Sequence, residues 1–455
     1  MTVARGRQWL VALFVLTLPL VTVVVRGADE IEYFSYLRSL AFDRDLDFTN
    51  EYTSFVDRDP QGLAGFRATF LDRREPATGR PINFASLGPA LLWSPFYLLA
   101  HVAVVAARAA GAGVAADGLS WPYTAAAAYG SAFYGFLGLL LAHDALTRHG
   151  GFSAVAATAS VAALWLATPV FYYLTLAPAF SHACSLFAVS LLVWLWLRAR
   201  ARTDAGLADW ALVGLAGGLC GLVREQDALY LAVPAAGLLW DAVRRRDPLG
   251  FVPRALVMGC AAALVFVPQL FAYRAINGRF GPSTLVTRKM DYLSPHFFQV
   301  LCDPGHGLFV WAPLLLVAVA GLALLVAQRR EVAACMAAGL LLQFWINGAV
   351  ESWSQAGAFG SRRFVSATSV FAWGLAAVLA LWLPRMRTGA VAAVLAVFVW
   401  WNVSLMIQFG LKLMDRQRLE WPRVAINQIT EVPPRLVRVG VLFFTDRERL
   451  VREGA

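Results

Sequence analysis

Runs of about twenty apolar residues recur along the whole of this chain, each long enough to cross a hydrocarbon core of about 30 Å as a helix. They fall near 9–26, 86–108, 121–146, 152–173, 176–199, 207–223, 227–243, 254–274, 307–328, 331–350, 364–384 and 388–410. Lipid offers no hydrogen bonds to an open backbone, so such runs must fold as helices that satisfy their own peptide groups. The expected fold is therefore an all-α polytopic membrane protein, a bundle of about 11–13 transmembrane helices. Charged residues make up only 15% of the chain and hydrophobic ones 59%, whereas a soluble domain carries about a quarter charged residues. The expected domains are a membrane domain over 1–410, with a first loop at 27–85, and a short tail over 411–455.

The net charge of +10 does not point to nucleic acid. The arginines cluster at the ends of apolar runs: Arg198, Arg200 and Arg202; Arg244, Arg245 and Arg246; Arg329 and Arg330; Arg385 and Arg387. That is the distribution of the positive-inside rule. With those clusters in the cytoplasm, four segments fall outside: the Arg224–Asp227 turn, the 276–305 loop, the 351–363 loop and the tail. Arg5 and Arg7 put the N-terminus inside and the 27–85 loop outside. Twelve crossings cannot join an inside start to an outside end, so one run is re-entrant or one crossing is hidden. The weakest stretch is 81–146.

The five cysteines (Cys184, Cys220, Cys260, Cys302, Cys335) show no paired spacing and read as apolar packers. The run from Trp9 to Val25 is followed by Arg26-Gly27-Ala28-Asp29-Glu30, without a small-x-small cleavage site, so an uncleaved span is expected.

The first loop is the most informative segment. From Asp29 to Phe42, apolar and aromatic residues recur at Ile31, Tyr33, Phe34, Leu37, Leu40 and Ala41, close to a helical period. The expectation is an amphipathic helix on the outer membrane surface, with Asp29 and Glu30 at its N-terminal end, where carboxylates also serve as ordinary caps. Asp43, Asp45, Asp47, Asn50 and Glu51 follow. They could take a divalent cation through oxygen ligands, or form a solvated acidic face. The stretch from Pro81 through Asn83 to Gly88-Pro89 leads into the second span.

An inside N-terminus, one span, an acidic pair, a surface helix and a Gly/Pro-marked second span together resemble the GT-C superfamily of membrane glycosyltransferases. That superfamily includes protein O-mannosyltransferases and the aminoarabinose transferase acting on lipid A. The segments LVREQDALYLAVP (Leu222–Pro234), DPGHGLFVWAPL (Asp303–Leu314) and ESWSQAGAFGSRRFV (Glu351–Val365) are similar to later loops of such proteins. The resemblance implies transfer of a sugar from a polyprenyl-phosphate donor to a hydroxyl of a lipid, glycan or protein acceptor, on the extracytoplasmic side of a bacterial inner membrane. It implies that Asp29, with Glu30 as neighbour or substitute, acts as general base. No cofactor is required on this reading, and a divalent cation is left open; membrane lipids are expected partners and nucleic acid is not.

A leaving lipid phosphate calls for fixed cations, and arginine's fork suits phosphate. Arg224, Arg288, Lys289, Arg362 and Arg363 share the outer face; of these Arg224, Lys289, Arg362 and Arg363 are the phosphate-binding candidates. Arg224 could instead pair with Glu225 and Asp227 to fix a turn. Arg362 and Arg363 could instead touch lipid headgroups. Glu51, Asn83, His182 and His306 are weaker substrate-binding candidates; the two histidines, near outer span ends, could hydrogen-bond a sugar or phosphate, though such a histidine is more often a packed polar residue. No HExxH, P-loop, GxSxG or dinucleotide fingerprint occurs.

Two other classes compete. A transporter or flippase of lipid-linked glycans would hold ionisable residues within its spans and show related halves; here the charges sit at span ends. A lipid-linked polysaccharide ligase or polymerase would rely on a large late outer loop with arginine and histidine.

Overall fold

The computed structural model describes residues 1–244, 248–355, 357–446 and 449. Arg245 and Arg246 of the second basic cluster, Ala356 of the ESWSQAGAFGSRRFV segment, and 450–455 at the end of the tail lie outside the described residues. Among those residues the fold is all α, with a single isolated bridge between Arg74 and Pro81 and no strand. It is an integral membrane protein. Seven described helices are long and apolar enough to cross a membrane: Val3–Leu20, Gly88–Ala109, Trp121–His149, His182–Ala201, Gly250–Asn277, Arg362–Trp382 and Thr388–Gly410. The other apolar runs appear as the shorter helices Ala154–Leu166, Leu207–Val223 and Ala232–Arg244 and as the two parts of Leu314–Gly348. That last element is broken at Arg329, whose backbone leaves helical geometry (φ −143°, ψ 57°). The guanidinium there donates to the His149 carbonyl at 2.9 Å.

The chain divides into two compact units. The first comprises Met1–Val11, Ala142–Tyr172 and Asp291–Ala455; the second comprises Ala12–Leu141 and Tyr173–Met290. Each has a helix buried along most of its length: Arg362–Trp382 in the first, His182–Ala201 in the second. Glycine makes the close approaches. In the first unit a Cβ on Gly321 or Gly374 would run into the backbone of the opposing helix, the small-residue packing by which membrane helices associate. The N-terminus is pinned in the same unit by Arg7, which pairs with Asp144, itself held by Arg148 at 2.9 Å. None of the five cysteines is joined in a disulfide; Cys184, Cys220 and Cys335 are buried.

In the second unit, Ala28–Arg38 forms the expected helix and continues as a π turn over Ser39–Asp43. It is more enclosed than a helix resting on a membrane surface, because seven of its eleven residues are buried, Glu30 and Glu32 among them. The returning segment before the second span does this. Asn83 donates to the Glu32 carbonyl at 3.1 Å, and the Phe84 amide donates to the Glu32 carboxylate at 2.5 Å. The chain then enters the span at Leu87-Gly88-Pro89, where the Leu87 amide donates to buried Gln269 at 2.7 Å.

Gly88 lies directly against the backbone of Leu222 and Val223, the residues that lead into Arg224. Any side chain there must push two helices apart, and overpacking of this kind costs about 1–3 kcal/mol. Gly88→Val is therefore expected to lower the thermal midpoint of the detergent-solubilised protein, read by the loss of its monodisperse size-exclusion peak on heating. Gly88→Ala should show a smaller shift in the same direction, and an unchanged midpoint for valine would mean that this contact does not set the helix spacing.

Candidate functional site

Glu30 is committed locally. It stands at the third position of the Ala28–Arg38 helix, and its Oε2 accepts from the backbone amides of Arg26 (2.9 Å) and Gly27 (2.8 Å). This is the carboxylate half of a capping box, satisfying donors that a helix start leaves open. Burial pushes its carboxyl up to about 7, against the opposing pull of those two amides. Asp29, one residue earlier in the same turn, is half-buried.

Tyr33, one turn along, ties the first loop to the Arg224 turn. Burial is the largest influence on its hydroxyl, pushing it up to about 12; Arg224 pulls it down, Asp29 and Glu32 push it up, and Ser181 hydrogen-bonds it. A positive charge, a negative charge and two hydroxyls are thus brought within interaction range from sequence positions far apart. Glu32 is held well above the usual carboxylate range by burial and by Asp29.

Arg224 ends the Leu207–Val223 helix by leaving helical geometry (φ −152°, ψ 122°), with its amide still bonded to the Cys220 carbonyl at 2.9 Å. Its guanidinium lies 3.0 Å from Nδ1 of His182. A guanidinium has donors only, so Nδ1 accepts here and the ring proton belongs on Nε2. The imidazole is itself fixed by packing, edge-on to Tyr173 (4.6 Å between centroids) and stacked with Phe180 (5.9 Å). The two carboxylates beside Arg224 in sequence are held elsewhere: Ser185 donates to Asp227, and the Tyr273 hydroxyl donates to Glu225.

Beyond the π turn, Arg38 bridges Glu51 (2.8 Å) and Asp43, and Asn50 also donates to Asp43 (2.7 Å). An open cavity of about 730 Å³ is lined by Asp43, Asp45, Asp47 and Asp57 with Thr49 and Asn50 among its other walls. Among the described residues no group of three or more His, Cys, Asp or Glu side chains could hold a metal ion. Glu51 is fully buried, and burial pushes its carboxyl from the ordinary 4.5 up to about 7, partly offset by Arg38. Because the folded value lies above the ordinary one, this group favours the folded loop most at low pH, and that contribution fades between about 4.5 and 7. Amide protection over Thr49–Arg58, measured by hydrogen exchange corrected for intrinsic rate, should fall on the order of tenfold or more from pH 5 to 7.5. Glu51→Gln should flatten that dependence, and a wild-type profile already flat would exclude Glu51 as its source.

Asn83 is a strut: buried, bonded to the Glu32 carbonyl, and accepting from Ala85 at 2.7 Å. Arg288 and Lys289 are exposed at the end of the short Thr284–Thr287 helix. All of these belong to the second unit.

His306, Arg362 and Arg363 belong to the first. His306 is buried, donates through Nε2 to the Ala358 carbonyl (2.7 Å) and stacks on Trp311 (5.0 Å). Burial, with a push from Arg362, lowers it to about 4 despite the Ala358 bond. Arg363 reaches the Ser352 hydroxyl at 3.4 Å.

The sequence reading passed over Glu32, Tyr33, Ser181, Gln269 and Tyr273. The signal for Gln269 and Ser181 was present: a polar side chain inside or at the rim of an apolar run is costly unless it has a partner.

No protein-family model matches the chain, and no curated protein matches it in sequence. A match of fold does exist. The crystal structure of ArnT from Cupriavidus metallidurans bound to undecaprenyl phosphate superposes with a TM-score of 0.51 at 16% identity, over 99% of this chain and 76% of that one. The fold is of the GT-C type.

Proposed function

We propose that this protein is a glycosyltransferase that moves a sugar from a polyprenyl-phosphate donor to an acceptor hydroxyl at the extracytoplasmic face of the membrane. The observation that carries the reading is the grouping of Asp29, Tyr33, Arg224 and His182 within a GT-C-type fold. Asp29 would take the proton from the acceptor hydroxyl as that oxygen attacks the anomeric carbon. The bond between that carbon and the phosphate oxygen breaks, and polyprenyl phosphate leaves. Arg224, presented by a fixed imidazole, would hold the phosphate as its charge develops. The ArnT structure, whose own title records undecaprenyl phosphate, supports a lipid phosphate as the ligand class. Glu30, tied into the helix cap, holds the turn that carries Asp29.

Lys289 is retained as a further phosphate contact, and Glu51 and Asn83 as supports of the first loop; in the first unit, Arg362 and Arg363 remain candidate anion contacts and His306 a support of its own loop. On this reading arginine meets the phosphate's charge and no cofactor is required, with a divalent cation left open. The membrane domain over 1–410 carries the reaction, and the tail over 411–455 stays on the same side as the loops.

The test is transfer of radiolabelled sugar by the purified protein from a panel of polyprenyl-phosphate sugars, to membrane acceptors or to water. Label released by wild type establishes the class. No release across the panel, from protein shown to be folded, would favour the transporter reading.

A further inference from the structure

The two tail helices are fixed to the end of a spanning helix and still expose apolar faces. Thr388–Gly410 is long and apolar enough to cross the membrane, and Trp421–Thr430 packs back on its second half: Trp421 stacks on Trp401 at 5.0 Å, and Asn427 donates to Gln408 at 3.1 Å. Gln408 in turn donates to the Val424 carbonyl at 3.3 Å. Gln408 is two residues from the end of Thr388–Gly410, and Asn427 also donates to the Leu413 carbonyl at 3.1 Å, so these bonds hold the first tail helix at the level where the span ends. On its outer side Ile426 and Ile429 are 57% and 78% exposed. The next helix, Val432–Thr445, leaves Val437, Val441 and Phe444 exposed at helical spacing (79%, 55% and 62%). Arg438 lies on a different stripe of the same helix. On the polar side Arg423 pairs with Glu420 and Arg435 with Glu431.

These helices have 10 and 14 residues, lengths of about 15 and 21 Å, too short to span about 30 Å of hydrocarbon. An apolar stripe beside charged side chains, on a helix too short to cross, fits the bilayer interface. We infer that Trp421–Thr430 and Val432–Thr445 lie in the membrane interface at the end of Thr388–Gly410, with Ile429, Val437 and Phe444 in the acyl boundary and Arg438 toward water. The occupant of the exposed faces is phospholipid. The first tail helix packs directly on Thr388–Gly410, a span only 33% buried, and that adjacency to a lipid-facing helix argues for lipid over a partner protein.

The test uses the full-length protein, with exposed Cys260 and Cys302 replaced by serine, in vesicles of phosphatidylethanolamine and phosphatidylglycerol. Spin labels at Ile429→Cys, Val437→Cys, Phe444→Cys and Arg438→Cys are probed with oxygen, which partitions into lipid, and with a water-soluble nickel chelate. The expected result is an oxygen-to-nickel accessibility ratio several-fold higher at 429, 437 and 444 than at 438. Water-like ratios at all four positions would overturn the inference, as would shielding from both reagents, which means a protein covers the face. Lipid-like ratios at all four would also overturn it, since the helix would then be immersed on every side. Single cysteines at exposed positions leave the fold intact, and the size-exclusion profile of each variant checks this.

Discussion

Asp29→Asn should reduce turnover by about a hundredfold to ten-thousandfold, the range a positioned general base contributes, with little change in the apparent affinity for the lipid donor. Single-turnover release of label at saturating donor would measure it. The substitution keeps the size and polarity of the side chain, and the structural duty in this turn falls to Glu30, whose carboxylate holds the amides of Arg26 and Gly27. The folded state should therefore survive, and the loss should appear in turnover alone. Turnover within tenfold of wild type would keep the reaction class and move the base elsewhere. The first alternatives would then be buried Glu32, beside the Asn83–Phe84 strand of chain, and the Asp43–Glu51 cluster.

The second large effect is expected at Arg224. Arg224→Ala should lower kcat/KM by about a hundredfold to a thousandfold, the scale seen when one preorganised donor to a developing charge is removed. Arg224→Lys should recover little of this. A lysine carries a point charge without the planar fork, and it could not both face His182 and grip two phosphate oxygens. His182→Ala should give a smaller loss in the same direction, because it removes the group that aims the guanidinium. If Arg224→Lys restored full activity, the residue would be supplying charge alone. If Arg224→Ala were silent, the phosphate would be held by another cation, Lys289 first among those of the same unit.

How far the sequence led can be read from individual residues. The helices were legible because apolar runs have one solution in lipid, and the Ala28–Arg38 helix was legible because its period is helical. Arg224 stood out as a charge at a span end, but its partner did not. The neighbouring Glu225 and Asp227 were the obvious choices, and they instead receive Tyr273 and Ser185 while His182, forty-two positions away, faces the guanidinium. Long-range pairing of this kind leaves no local trace, since a tyrosine or serine in an apolar run looks like packing. The breaks between the shorter helices were legible as well. The apolar runs 207–223 and 307–328 end just before Arg224 and Arg329, and the backbone leaves helical geometry at those two arginines.

The buried cap at Glu30 bears on how a pH–rate curve for this protein should be interpreted. Its carboxylate must be ionised to grip two amides at full strength, yet burial places its titration near 7. An acid limb in turnover near neutrality would conventionally be assigned to the nucleophile-activating group. Here it would report the slackening of a helix start one residue away from that group. Glu30→Gln separates the two origins: the amide side chain still accepts from Arg26 and Gly27 but cannot titrate, so the limb should vanish while most of the turnover at pH 8 remains. A kineticist who saw only the wild-type curve would be measuring the stiffness of the scaffold and naming it chemistry.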